Sequence, residues 1–173
     1  MLTLPAVTTH RRRLTITRLG TALLIVLGIC CAIAALATPR AGLLFNNLST
    51  ATAQPITSGS QNGVWQIQLQ TNGPTDVITQ TFGLLPGGLS GWHSHPGAAI
   101  VSVAAGAATF YEGGDSSCTP HVYPAGTGFV ETGGDVHIVR NEGTDALSLN
   151  ITYLVPQGAA QRIDQPSPGN CGF

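Results

Sequence analysis

The sequence predicts an all-β domain, a sandwich or a barrel, and three observations carry that reading. The 22 glycines are spread among short apolar runs, as strands joined by tight turns require. Two stretches alternate strictly: Trp65, Ile67 and Leu69 against Gln66, Gln68 and Gln70, and Leu147, Leu149, Ile151 and Tyr153 against Ser148, Asn150 and Thr152. Such period-two patterns mark half-buried strands. No stretch carries the periodicity of a long amphipathic helix, and 173 residues suit one sizeable core plus an appendage.

The appendage comes first. Residues 1–18 are polar and Arg-rich, and Leu19 to Ala37 follow without a charge. Residues 1–37 therefore read as a signal peptide or a transmembrane anchor helix. Ala35-Leu36-Ala37 offers the small-x-small pattern of a cleavage site, while the length of the run equally fits a bilayer span, so both readings stay open. Arg11, Arg12, Arg13 and Arg18 hold this end in the cytoplasm and send the rest outside. The expected location is extracytoplasmic, either secreted or anchored by residues 19–37. All eight acidic residues lie after Thr75, against three remaining arginines, which leaves the exported part near −5. A chain without a basic face is not a nucleic-acid binder.

Residues 38–62 are rich in Ala, Thr, Ser and Gln without sustained periodicity, and read as a flexible tether. The β domain is expected over 63–173. Beyond the first alternating strand, β segments are expected near 77–85, 99–104, 107–111, 121–123, 127–131 and 136–140, punctuated by Pro86-Gly87-Gly88, Gly113-Gly114-Asp115 and Gly133-Gly134-Asp135. Cys118 and Cys171 fall in the exported part, where oxidising conditions let disulfides persist, and are expected to pair and pin the C-terminal tail.

His93 and His95 stand two residues apart at the start of a strand and so share a face. Two imidazoles directed into a barrel are costly to bury unless each nitrogen is satisfied, and a divalent metal satisfies both. His137, on a later strand, can add a third ligand. By spacing alone the trio fits either a metal site or histidines that merely hydrogen-bond.

The surrounding residues carry a resemblance. Gly87, five residues, His93, Ser94, His95, Pro96, Gly97 and then Gly106 is similar to the first motif of the cupin superfamily. Gly126, five residues, Thr132-Gly133-Gly134, two residues, His137, three residues and Asn141 is similar to the second. The resemblance covers roughly 63–165 and identifies a small single-domain cupin. It implies a double-stranded β-helix, or jelly-roll barrel, in which His93, His95 and His137 converge on one divalent transition-metal ion: iron, manganese, zinc, copper or nickel. Two positions depart from the pattern. Thr132 replaces a proline, and Ala99 stands where the family usually carries a glutamate ligand. Without that carboxylate the site has three neutral ligands, so an anionic small-molecule ligand is expected.

Other residues are weaker candidates. Gln80 and Glu112 are possible additional ligands, although Gln80 is expected to face neighbouring strands and Glu112 lies beside a Gly-Gly turn; His121 is expected at the surface. Ser94 is expected to point away from the metal, Trp92 to pack in the core or rim, and Asn141 to close a turn. No general acid or base is identifiable near the histidines. The functional reading is an exported or membrane-tethered barrel that binds a metal and a small ligand. A metal-dependent, dioxygenase-like oxidoreductase is the alternative, and a metal-free structural barrel is a third. Exposed edge strands make a homodimer a reasonable expectation.

Overall fold

The computed structural model describes residues 38–173, so the expected signal or anchor segment, 1–37, lies outside the described residues. Among the described residues every regular element is a strand, and no helix is long and apolar enough to cross a membrane. In chain order the strands are β1 (Ala41–Ala53), β2 (Thr57–Asn62), β3 (Trp65–Gln70), β4 (Thr75–Leu89), β5 (His93–Ser94) and β6 (Ala98–Ala105). They continue as β7 (Ala107–Glu112), β8 (His121–Pro124), β9 (Gly128–Glu131), β10 (His137–Arg140), β11 (Leu147–Pro156) and β12 (Ile163–Asp164).

Ten strands form one antiparallel sheet that curls into a nearly closed barrel. Its path runs β12-β5-β10-β4-β11-β6-β9, with β1 also on β4, β7 on β10 and β8 on β7. The long β4 is the seam: β1 lies along one side, β11 along the other, and its last residue, Leu89, reaches Arg140 of β10. Alternation decides what the barrel buries. Leu147, Leu149, Ile151, Tyr153 and Val155 of β11 face inward, where they meet Val101 and Val103 of β6 and Leu84 of β4. Each fully buried Leu or Val of this kind contributes about 1.5–3 kcal/mol relative to exposure.

The expected strands from position 75 onward are all present, but the stretch before them differs in two ways. Residues 38–62, read as a tether, contain β1 and β2. β1 pairs with β4 from Ala53↔Thr75 to Ala41↔Leu89, with register shifts at Ala41/Leu43 and Asn47/Ser49. It is held by backbone pairing rather than by an apolar face. Leu44, Phe45 and Leu48 are exposed and only Leu43 packs on the core, so no hydrophobic period was there to read. Conversely, β3 does alternate, yet it pairs with β2 in a separate two-stranded hairpin and leaves Trp65 and Ile67 more than half exposed.

A second apolar cluster underlies the histidine strand. Trp92 packs with Tyr111, Ile138 and Cys171, and Leu89, Cys118 and Val136 close around them. The structure contains the Cys118–Cys171 disulfide, Cα–Cα 5.3 Å, which staples the tail onto this cluster. Phe173 completes the docking by lying under the Arg140 guanidinium, 3.8 Å from its ring centre, and edge-on to Tyr111. The C-terminal segment then reaches the histidines directly: Asp164 and Ile163 of β12 pair with His93 and Ser94 of β5.

Candidate metal centre

The barrel brings His93, His95 and His137 together, with ligand-capable nitrogens all within 4.8 Å of one another. Strand register does this: His137 opens β10 directly opposite His93 of β5, and His95 follows two residues later on the same face. Beyond β5 the chain passes unusually close to its neighbours. A Cβ on Gly97 would overlap the Leu154 carbonyl oxygen, and one on Gly133 would sit 3.0 Å from the Gly97 Cα. That contact, with the Gly134 amide donating to the His95 carbonyl at 2.8 Å, seats the first motif against the second.

All three rings are buried, and the tautomer of each is set by its backbone partner. His93 Nδ1 lies 2.9 Å from the Gly91 carbonyl oxygen, His95 Nδ1 2.6 Å from that of Gln161 and His137 Nδ1 3.0 Å from that of Asp135. A carbonyl oxygen only accepts, so each Nδ1 carries a proton and, in the neutral ring, each Nε2 keeps its lone pair. His95 Nε2 and His137 Nε2 are buried without a hydrogen-bond partner. Burial, then the charges of His137, Arg162 and His95, hold His93 well below its ordinary pKa, which keeps that ring neutral.

One residue outside the expected set enters the centre. Glu131, the last residue of β9, is 4% exposed, and its carboxylate oxygens lie 3.1 Å from His95 Nε2 and 3.4 Å from His137 Nε2. These are ion-pair distances only if a ring carries a second proton. With both rings neutral, two lone pairs confront a carboxylate and nothing between them donates. Burial acts to raise the Glu131 pKa, but His137 and His95 in their protonated forms outweigh it and hold the carboxyl well below the usual carboxylate range. A positive charge among the four groups, either a proton or a divalent cation, is what satisfies them, and imidazole nitrogen with carboxylate oxygen is a donor set that divalent transition metals accept. The residues therefore fit a metal ion.

A cavity of about 240 Å³ opens beside His93 and His95. Most of its exposed wall is apolar, with Leu43, Phe82, Leu149 and Ile151, while Arg40, Gln80, Glu131, Tyr153 and Arg162 bring polar groups to it. Gln80 faces this cavity rather than only its neighbouring strands, but its amide is committed: Tyr153 Oη donates to Oε1 at 3.1 Å and Nε2 donates to Asn47 Oδ1 at 2.7 Å. Burial, and then Glu131, raise the Tyr153 pKa, so the phenol stays protonated. At the mouth, Arg162 donates to the Ser90 carbonyl at 2.7 Å and to Asp164 at 2.7 Å, and Arg40 reaches the same Asp164 at 3.0 Å.

Ala99 is fully buried on the inward face of β6, directly opposite Glu131 of β9. Glu112 and His121 are exposed, on β7 and β8. Ser94 points to the tail, where Gln165 Nε2 donates to its hydroxyl at 3.0 Å. Asn141 closes a turn from a buried position, with Nδ2 donating to the Leu84 and Asp145 carbonyls at 2.9 and 2.8 Å. Trp92 is core, 1% exposed.

The family model for the cupin domain matches residues 80–155, a span that includes all three histidines and Glu131. Among solved structures the chain resembles a cupin superfamily protein from Desulfitobacterium hafniense at 12% identity and a TM-score of 0.44, over 69% of this chain and 83% of that one. A conserved protein with a double-stranded β-helix domain from Klebsiella pneumoniae is similar at 22% identity and a TM-score of 0.43, over 65% and 84%. An oxalate oxidase in complex with the substrate analogue glycolate is similar at 24% identity and a TM-score of 0.44, over 51% of this chain and 45% of that one. No curated protein matches the chain. With its matched motifs, its all-antiparallel barrel and its three inward histidines, residues 80–155 of this chain match the cupin domain.

Proposed function

We propose that this protein is an extracytoplasmic metal-binding cupin, which holds one divalent transition-metal ion on His93, His95 and His137 and admits a small anionic ligand to the cavity beside them. The observation that carries the reading is the tautomer pattern: three Nδ1 atoms each committed to a backbone carbonyl, leaving three Nε2 lone pairs converging in a buried space. When bound, the metal supplies Lewis acidity and open coordination positions. The protein's own groups shape what reaches it. Arg40 and Arg162 offset Asp164 and Glu131 around the cavity, so the charge of a bound metal ion is what favours an anion there, and the apolar wall limits its size. The Cys118–Cys171 bridge and the Arg-flanked apolar run Leu19–Ala37 support an oxidising compartment outside the cytoplasm.

Cobalt(II) titration of the purified chain tests the metal reading. Wild type should give a saturable ligand-field spectrum with about one equivalent. His93→Ala, His95→Ala and His137→Ala should each weaken binding by at least the ~10–100-fold typical of losing even outer-sphere support, and His121→Ala should not. Equal loss from all four variants would refute the ligand assignment. A catalytic reading, a metal-dependent oxidoreductase, is favoured by one feature: the apolar cavity opens on two of the three histidines. Oxygen consumption by the metal-loaded chain with a panel of small carboxylates distinguishes it from a pure binder.

A further inference from the structure

Ala99 and Glu131 are direct partners across the antiparallel β6 and β9, so their side chains project from the same face of the sheet, toward the barrel interior. The two positions look onto the same space. Ala99, with its single methyl group, is 0% exposed and leaves that space open, and the longer Glu131 fills it from the neighbouring strand. Its two oxygens then approach the two imidazole nitrogens that lack any partner, His95 Nε2 and His137 Nε2, at 3.1 and 3.4 Å. Each of those rings is fixed by a carbonyl as an Nδ1–H tautomer. Carboxylate and lone pairs converging in a buried site repel one another unless a proton or a metal cation lies among them, and no Lys or Arg contacts the carboxylate among the described residues.

We infer that Glu131 is a fourth metal ligand, supplied from β9 in place of the carboxylate that position 99 does not provide. The inference rests on the three-histidine metal reading and changes its chemistry. A divalent ion on three imidazoles alone keeps its double charge, whereas with Glu131 the centre carries a net single positive charge. Harder divalent ions such as manganese(II) and iron(II) then gain an oxygen donor that three imidazoles do not offer. Glu131 is thereby committed to the metal and is not free to act as a general base.

The test is manganese(II) and cobalt(II) binding to the full chain in four forms: wild type, Glu131→Gln, Glu131→Ala, and Glu131→Ala combined with Ala99→Glu. Glu131→Gln keeps the shape of the side chain and removes its charge, which guards against misfolding as an explanation. Manganese(II) affinity should fall about 100-fold in Glu131→Gln, more than cobalt(II) affinity. At saturating cobalt(II) the ligand-field band should shift. The double variant should regain most of the manganese(II) affinity lost in Glu131→Ala. A Glu131→Gln chain with wild-type affinity and a superimposable cobalt band overturns the inference while leaving the three histidines as ligands. A double variant that binds no better than Glu131→Ala overturns the equivalence of the two positions. Failure of wild type to bind either metal overturns the underlying metal reading instead.

Discussion

The Nδ1–H of His95 donates to the backbone carbonyl of Gln161 at 2.6 Å, across 66 residues of sequence. The tail is thus part of the histidine cluster's support. It is held there by Arg162, which bonds the Ser90 carbonyl and Asp164, by β12 pairing on β5, and by the Gln165 backbone N–H donating to the Trp92 carbonyl at 3.0 Å. Arg162→Ala should therefore weaken metal affinity about tenfold, at the low end for groups that orient a ligand. Competition with a chromophoric chelator measures it, and unchanged affinity would show that the tail holds His95 without this anchor.

The disulfide should matter for stability and only in its oxidised form. Closing the loop between Cys118 and Cys171 contributes at most about 4 kcal/mol by chain entropy. Cys171→Ser should lower the melting temperature under oxidising conditions and leave it unchanged from wild type under reducing ones. A difference that persists after reduction would mean that Cys171 acts through its packing against Trp92 instead.

Acid should destabilise the metal-free protein. His93 holds a proton less tightly when folded than unfolded, so the unfolded chain binds more protons as pH falls below about 6.5, and folding stability drops with it. Glu131 acts in the same direction at lower pH: its folded pKa is depressed, so its contribution is present above the unfolded carboxylate value of about 4.3 and is lost as pH falls further. Urea unfolding in chelator should give a midpoint that declines from pH 7.5 to 5.5. Replacing His93 with Ala should flatten the decline, and an equal slope in the variant would remove His93 from the account.

The contact between the two histidine motifs leaves no room for a side chain. Gly97→Ala should clash with the Leu154 carbonyl, move the loop that carries His95, and cost both stability and metal affinity. Overpacking of this kind costs about 1–3 kcal/mol. Ala at Gly114, where an added Cβ meets nothing within 4 Å, is the matched control and should be silent in both thermal melts and metal titration.

Much of this centre was legible in the sequence, for reasons that also explain what was not. The spacing around His93, His95 and His137 encodes a shared face and a pair of glycine turns, so the trio could be named without a structure. Glu131 could not, because its relation to Ala99 exists only once β6 and β9 are neighbours, and strand order is not written in either segment. A local signal was nevertheless present: Phe129 and Glu131 share the inward face of β9 while Val130 points out, 63% exposed, so the acid sits on the buried parity. β1 was missed for the opposite reason, since a strand that contributes backbone pairing and little apolar surface has no pattern to display. The β3 alternation signalled a strand correctly but not what covers it, and its neighbour is the short β2 rather than the barrel.

Elemental analysis by mass spectrometry, on the full chain purified without chelator or histidine tag and alongside His137→Ala, shows whether the three histidines hold a metal ion. Wild type should hold close to one equivalent of a divalent transition metal, lost in the variant while the fold survives. A wild-type chain that holds no metal, even after reloading with iron, manganese, zinc, copper and nickel, would contradict the metal reading.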